Sequence, residues 1–213
     1  LWGNGLMDIT LWDSYWCYVE NNTCNSTGAW GIYLETSHAN QVDNNTLNNW
    51  DWVGIHMLTC QYNSLSGNTM NGCGIFIEGS ALPYWNTHTI DLQNTANGLP
   101  VRYITDQNGG AVSPGAGQVL LANCTDLMVI DQVILNASVG VEAGFCNGTY
   151  VADCDLSDHA LMGLFSYSSE YAYLENDTVT GNGLWGGFMD LSNGSHFANT
   201  TFDGNDGPGL ELN

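Results

Sequence analysis

The sequence predicts an all-β protein, a parallel β-helix of about nine turns in which each turn of the chain stacks on the previous one. The first observation is a phrase that recurs every 22 to 24 residues: residues 31–46 and 54–69 share a Gly-Ile start and an Asn-Thr end at the same offsets. The second is that the runs between these points are short and alternate apolar with polar residues, as half-buried strands do. The third is that Lys is absent and no segment has helical spacing of its apolar residues.

The Gly-apolar step marks the start of each predicted turn. It recurs at Gly5, Gly31, Gly54, Gly74, Gly140, Gly163, Gly187 and Gly209, with late intervals of 23, 24 and 22 residues. A weaker start at Gln118 lies 22 residues before Gly140, and the 44 residues between Gly74 and Gln118 leave room for two looser turns. Residues 1–213 are therefore predicted to form a single domain, a rod about 40 Å long at a strand spacing of about 4.8 Å.

Both ends of this rod are predicted to be open. Neither terminus shows an amphipathic helix or a Pro-rich plug, and the last residues are an unfinished turn. Open edge strands invite pairing with another chain. The candidate assembly residues are Leu6, Ile9, Leu11, Leu210 and Leu212.

The charge balance restricts the partners. The chain has 22 acidic residues, one basic residue (Arg102) and a formal charge of −21, which excludes nucleic acid as a partner. Such a field gathers cations, and calcium or other divalent ions that bridge acidic surfaces are the expected cofactor class, although no contiguous calcium loop is present. No run of 18 apolar residues occurs, so no transmembrane segment is predicted.

The seven cysteines follow the repeat. Cys60 and Cys146 lie six residues after the Gly of their turn, and Cys124 lies six after Gln118. Cys124 and Cys146 therefore fall on adjacent turns at a separation that permits a disulfide, with a ladder of free thiols as the alternative. Cys24 aligns with core positions and is predicted to be a buried thiol.

Glycosylation signals are dense, and some N-glycans are expected if the protein is secreted. Asn-Thr belongs to the repeat, where Asn side chains can stack in ladders, so the signals at Asn21 and Asn44 are partly structural. Those at Asn136, Asn147 and Asn193 look more loop-like. The nine sequons are at Asn21, Asn25, Asn44, Asn123, Asn136, Asn147, Asn176, Asn193 and Asn199.

The middle of the chain resembles a known family. Gly98-Leu99-Pro100-Val101-Arg102-Tyr103, then Gly109-Gly110, then Ala116-Gly117-Gln118-Val119-Leu120-Leu121-Ala122-Asn123-Cys124 resemble the NosD-type right-handed parallel β-helix repeats found in large cell-surface proteins of methanogenic archaea. The resemblance covers essentially the whole chain. It implies a right-handed solenoid and an extracellular, cell-surface location, but no activity, because fold similarity does not carry function.

The sequence gives weak support for an enzyme. A lyase on this fold would need a basic residue, and only Arg102 is available. A glycosidase needs clustered carboxyls, for which residues 153–159, from Asp153 to His159, are the best cluster. Copper would need ordered ligand sets, whereas His38, His56, His88, His159 and His196 occupy different repeat phases. No catalytic or metal residue is therefore predicted.

Two non-catalytic functions are favoured over a polysaccharide-degrading enzyme, which stays a third alternative. The preferred hypothesis is an extracellular structural protein that polymerises with itself, end to end and laterally, into a filament, sheath or surface layer. The alternative is a carbohydrate-binding or adhesive module that contacts cell-surface glycans. For that module, Trp30, Trp50 and Trp52 are predicted to form an aromatic patch near one bend of adjacent turns.

Overall fold

The computed structural model describes residues 5–25, 28–49 and 51–213, and it confirms a parallel β-solenoid of about nine turns. Almost all regular structure in these residues is short strands. The first stack of turns consists of β1 (Met7–Trp12), β2 (Tyr18–Glu20), β3 (Thr23–Asn25), β4 (Trp30–Glu35), β5 (Gln41–Asp43), β6 (Thr46–Asn48), β7 (Val53–Leu58), β8 (Ser64–Ser66), β9 (Thr69–Asn71), β10 (Ile75–Glu78), the helix α1 (Pro83–Asn86), β11 (Thr89–Ile90) and β12 (Thr95–Ala96).

The second stack continues the same three-sided turn. It consists of β13 (Leu99–Thr105), β14 (Gln118–Ala122), β15 (Met128–Ile130), β16 (Val133–Leu135), β17 (Val139–Gly144), β18 (Tyr150–Ala152), β19 (Asp155–Ser157), β20 (Met162–Tyr167), β21 (Tyr173–Glu175), β22 (Thr178–Thr180), β23 (Trp185–Asp190), β24 (His196–Ala198), β25 (Thr201–Asp203) and β26 (Leu210–Leu212).

Equivalent residues of successive turns lie directly above one another. In the first stack Ile9, Ile32, Ile55 and Ile75 are register partners along β1, β4, β7 and β10. Cys24 pairs with Leu47 and is fully buried, which confirms its predicted core position. Because the side chains of one face alternate with those of the other, each parallel ladder of apolar residues fills one wall of the core.

Amide side chains stack inside the first stack, at the bend between the second and third strands of each turn. The Asn45 side-chain oxygen accepts the Asn22 N–H at 2.9 Å, and its side-chain nitrogen donates to the Val19 carbonyl at 2.8 Å. Asn68 repeats both bonds one turn later. The ladder satisfies backbone groups that the bend would otherwise leave buried and unpaired.

The second stack places other residues in this bend. Asp177 takes the place of the ladder asparagine: its Oδ1 accepts the Cys154 N–H at 2.9 Å, while its Oδ2 is buried and has no hydrogen-bond partner. Burial raises the pKa of Asp177 from 3.8 to about 6, with smaller contributions from the neighbouring charges of Asp153 and Glu175. This column is thus less well satisfied than its counterpart in the first stack.

The two stacks meet at a change of direction. β12 pairs with β13 in antiparallel orientation, across a turn at Asn97 (φ 53°) and Gly98 (φ 79°). Two consecutive positive φ angles are typical of a tight hairpin turn, and Asn-Gly is the pair that adopts them most readily. All other strand pairs in the described residues are parallel.

The edge of β10 is covered by side chains instead of a further strand. Gln118 accepts the Ile75 N–H at 2.8 Å and donates to the Ile75 carbonyl at 2.6 Å, so it pairs with that residue as a strand would. Ile77 lies two residues farther along β10, and its N–H donates to the Glu142 side chain at 3.0 Å. The outer face of β14, β17 and β20 therefore lies across the end of the first stack.

This junction corrects one expectation about shape. The periodicity predicted a single uninterrupted rod, whereas the column of first strands stops at β10 and restarts at β13. Leu120 and Phe165, which point outward from the second stack, belong to the same buried apolar cluster as Ile75.

Within the described residues, the strands of the outermost turns, β1–β3 and β24–β26, pair on one side only. No helix in this part of the chain is long and apolar enough to cross a membrane.

Candidate ligand-binding cleft

A cleft of about 510 Å³ opens where the outer faces of the two stacks meet. Its first wall is the outward-facing ladder of the first stack. His56 lies between its register partners Tyr33 and Phe76, at ring-centroid distances of 5.2 and 5.3 Å. Trp30 stacks on His56 at 6.1 Å and meets the edge of Trp52 at 5.5 Å.

The second wall is the equivalent ladder of the second stack. Phe165 and Phe188 are register partners on β20 and β23, with rings nearly parallel (6°) and 6.0 Å apart. Trp185 lies 5.0 Å from Phe188, and its indole N–H donates to Glu211 at 2.7 Å. That bond fixes the orientation of the indole ring.

The floor is formed by rings that join the two walls. Phe76 of the first wall meets Phe165 of the second at 5.3 Å. Trp85, on α1, lies parallel to Tyr167 at 5.9 Å and donates its indole N–H to the Gly79 carbonyl at 2.8 Å. Trp85 is only 1% exposed, so it supports the floor from beneath, whereas Trp52 at the rim is 44% exposed.

Few polar groups face this aromatic cleft, and those with charge are acidic. Glu78 and Asp190 line it, and Glu78 bonds to His56 Nε2 at 2.7 Å. The Glu78 side chain is 38% exposed, so its carboxylate is accessible to a ligand. Arg102 is not among the lining residues. A pocket of this size and composition, apolar with a few oriented polar groups, is typical of a site for a small molecule or part of a polymer.

Glu142 lies beneath the cleft and holds the two walls together. Its Oε1 accepts the Ile77 N–H, while its Oε2 is buried without a partner. Burial raises the pKa of Glu142 well above its usual value, with a further contribution from the charge of Glu78. The protonated form is therefore favoured, and a protonated carboxyl has the same shape and donor–acceptor pair as the amide of Gln118.

The predicted aromatic patch is partly found here. Trp30 and Trp52 are in contact and line the cleft. Trp50 lies outside the described residues. Trp185 and Phe188 were missed, although the sequence contains a signal for them: Trp185-Gly186-Gly187-Phe188 repeats the pattern of Trp30-Gly31-Ile32-Tyr33. The two walls are thus built from one motif at the same place in the turn of each stack.

The acidic cluster at residues 153–159 does not form a site. Asp153 and Asp158 are exposed at bends, whereas His159 is buried in the core. His159 Nδ1 accepts the Ala137 N–H at 3.1 Å, and burial lowers the pKa of His159 to about 4, so the ring is neutral at pH 7. This histidine has a structural role.

Cys124 and Cys146 lie on adjacent turns, as the repeat predicted. Both are free thiols in the structure, and the Cys124 N–H donates to the Cys146 sulfur at 3.4 Å. The hydrogen bond between the two thiols lowers the pKa of Cys124 to about 7 and raises that of Cys146. The disulfide between them stays a prediction.

The sequon asparagines lie mostly on the surface. Asn25 is half-buried, and the other eight are exposed. The stacked asparagines of the ladder are the residues directly before Thr, such as Asn45, so the sequon residue Asn44 points outward from the same bend. Glycosylation at some of these nine candidate positions stays a prediction. Of the assembly residues, Leu6 and Leu212 are exposed, Ile9 and Leu210 are half-buried and Leu11 is buried.

Family models match both stacks. Residues 3–97 match NosD, described as a periplasmic copper-binding protein, and residues 117–213 match the right handed beta helix region. Residues 3–97 are therefore similar to NosD, and the chain folds as a right-handed parallel β-helix. Copper does not fit the residues of this β-helix well: within the described ranges, no group of three or more His, Cys, Asp or Glu side chains is arranged to hold a metal ion.

Solved structures similar to this β-helix include carbohydrate-active enzymes, at low identity. The mannuronan C-5 epimerase AlgE4 A-module of Azotobacter vinelandii is 12% identical with a TM-score of 0.43, and the match covers 100% of this chain and 81% of that one. An alginate lyase from Paenibacillus sp. is 12% identical with a TM-score of 0.36, over 99% and 76%. No curated protein matches this chain.

Proposed function

We propose that this NosD-like β-helix is a non-catalytic, extracellular glycan-binding protein, and that the cleft between its stacks is the binding site. The observation that supports this most directly is the repeated Trp-Gly-x-aromatic motif, which presents Trp30 and Trp185 from opposite walls. A sugar ring has apolar C–H faces and polar edges. Two aromatic walls with carboxylates near the rim, Glu78 and Asp190, match those two surfaces.

The proposal assigns binding and no bond cleavage to the cleft. A glycosidase uses two carboxyls that both reach the scissile bond, one of them a general acid with a raised pKa. The carboxyl near this cleft whose pKa is raised is Glu142, which is 1% exposed and is bonded to Ile77. It therefore has no access to a ligand and does not serve as a general acid.

The test is calorimetric titration of the intact chain with neutral oligosaccharides, first screened on a glycan array. Trp52→Ala removes the exposed ring at the rim, and we expect a loss of affinity of about tenfold, or about 1.4 kcal/mol. Trp12→Ala is the matched control, because Trp12 is 70% exposed and does not line the cleft. Absence of binding to every glycan, or equal losses in the two variants, would refute the proposal.

A second candidate function is self-assembly through the outermost turns. The last turn leaves core residues such as Phe197, Phe202 and Leu210 only half-buried. Because all strands within a stack are parallel, the edge of β1 and the edge of β26 present complementary backbone groups, and a second copy is the proposed partner. Electron microscopy of the purified chain, with and without calcium, tests this: filaments support it, and monomers at high concentration contradict it.

A further inference from the structure

The charged groups of the cleft select among the glycans that its aromatic walls could accept. Its lining contains two carboxylates, Glu78 and Asp190, and one histidine, His56. The chain contains no Lys, and its one Arg lies elsewhere. A ligand that enters this cleft therefore meets two carboxylates with no Lys or Arg beside them, and the one histidine is already bonded to Glu78, so an anionic sugar would be repelled.

The hydrogen-bonding groups of the cleft also favour a cationic ligand over an anionic one. The indole donors of Trp185 and Trp85 are used within the protein, by Glu211 and by the Gly79 carbonyl. The Asp190 carboxylate has no hydrogen-bond partner among the described residues. The Asp190 carboxylate and the Glu78 oxygen that does not bond to His56 are thus available as charged acceptors, while the two indole donors are occupied. This favours a ligand that brings positively charged donors.

The aromatic rings of the cleft also favour a positively charged ligand. A cation positioned over the face of an indole is attracted by the electrons of the ring, and several rings around one cation form a cage. Trp30 and Trp52 approach one another edge to face at 5.5 Å on one wall, and Trp185 stands on the other. An ammonium group on a sugar ring would meet both ring faces and carboxylates in one place.

Resting on the proposed glycan-binding function, we infer that the preferred ligand is an oligosaccharide of amino sugars with free, protonated amines. The sugar ring packs between the aromatic walls, and its ammonium group pairs with Glu78 and Asp190 at the rim. N-acetylated and neutral sugars bind more weakly because they lose the charge, and uronate oligomers are rejected.

The test titrates the intact chain with four oligosaccharides of equal length: glucosamine, N-acetylglucosamine, glucose and galacturonate oligomers. We expect the glucosamine oligomer to bind at least about fivefold more tightly than its N-acetylated counterpart, and that ratio to fall as salt is added.

Variants separate this inference from the function on which it rests. The double variant Glu78→Gln, Asp190→Asn should lose the preference for the free amine, so that it binds the glucosamine and N-acetylglucosamine oligomers about equally. Glu20→Gln, an exposed carboxylate on β2 outside the cleft, is the control and should retain the preference. Equal binding of both oligomers, or a preference that survives in the double variant, overturns the amine inference alone. Absence of binding to all four overturns both proposals.

Discussion

Replacing Asp177 by asparagine should stabilise the protein, and the gain should depend on pH. In the first stack, the equivalent Asn45 donates its side-chain N–H to the Val19 carbonyl. Asp177 has no proton to donate when ionised, and its buried Oδ2 has no partner. In Asp177→Asn we expect the new amide to donate to the carbonyl of Val151, the equivalent residue one turn earlier.

The expected gain in stability follows from the shift in the pKa of Asp177. A rise from 3.8 in the unfolded chain to about 6 in the native protein corresponds to about 3 kcal/mol, at 1.36 kcal/mol per unit. We expect about 2 kcal/mol, because the contributions of the charges of Asp153 and Glu175 are screened by solvent. The native state holds the proton more tightly, so the stability of the wild type falls as pH rises from about 4 to 6 and stays low above that.

Urea denaturation of wild type and variant measures this difference. The gain in the free energy of unfolding should be close to its full value at about pH 7.5 and should nearly vanish at about pH 3.5, where the aspartic acid is protonated in both states. Asp153→Asn, at an exposed bend, is the control and should change stability by less than about 0.5 kcal/mol at either pH. A gain that is the same at both pH values would refute the reasoning.

Three further predictions concern the junction, the ladder and the thiols. Glu142→Gln should leave stability almost unchanged at acid pH, where the carboxyl is protonated in both the native and the unfolded state. As pH rises, the variant should become more stable than the wild type, because only the wild type loses stability between the unfolded pKa and the raised native pKa of Glu142; a melting temperature that falls equally in both would contradict the assignment. Asn68→Ala should lower the free energy of unfolding, measured by urea denaturation, by about 2 to 4 kcal/mol, because it leaves buried backbone groups of two turns unpaired. A decrease below about 0.5 kcal/mol would show that the ladder is dispensable. Protein isolated without reductant should carry a Cys124–Cys146 disulfide, seen by peptide mapping as a linked pair that reductant separates; two free thiols under oxidising conditions would refute the pairing.

The sequence repeat predicted which residues stack on one another in successive turns, because that stacking depends on periodicity alone. A Gly-apolar start every 22 to 24 residues places Ile32 over Ile9 and Cys24 under Leu47, because stacking requires each turn to present the same residue types at the same offset. The rim tryptophans Trp30 and Trp52 were found for the same reason.

The cleft itself could not be predicted, because it depends on a break in the repeat. Residues 75–117 keep too few of the repeated positions to show that the chain reverses at Asn97 and Gly98. Without that reversal, Trp30 and Trp185 belong to distant turns of one rod and have no reason to face each other. Contacts such as Phe76 with Phe165 join residues far apart in sequence, and no local pattern records them.

The covering of the β10 edge also determines what the nascent chain exposes during synthesis. The groups that pair with Gly74 and Ile77 belong to Ser138 and Glu142, which follow 64 and 65 residues later. At about 5 to 20 residues per second, a ribosome needs about 3 to 13 s to supply them. For that interval the first stack has an unpaired strand edge beside apolar rings, so the emerging polypeptide is most vulnerable to aggregation before its second half has left the exit tunnel.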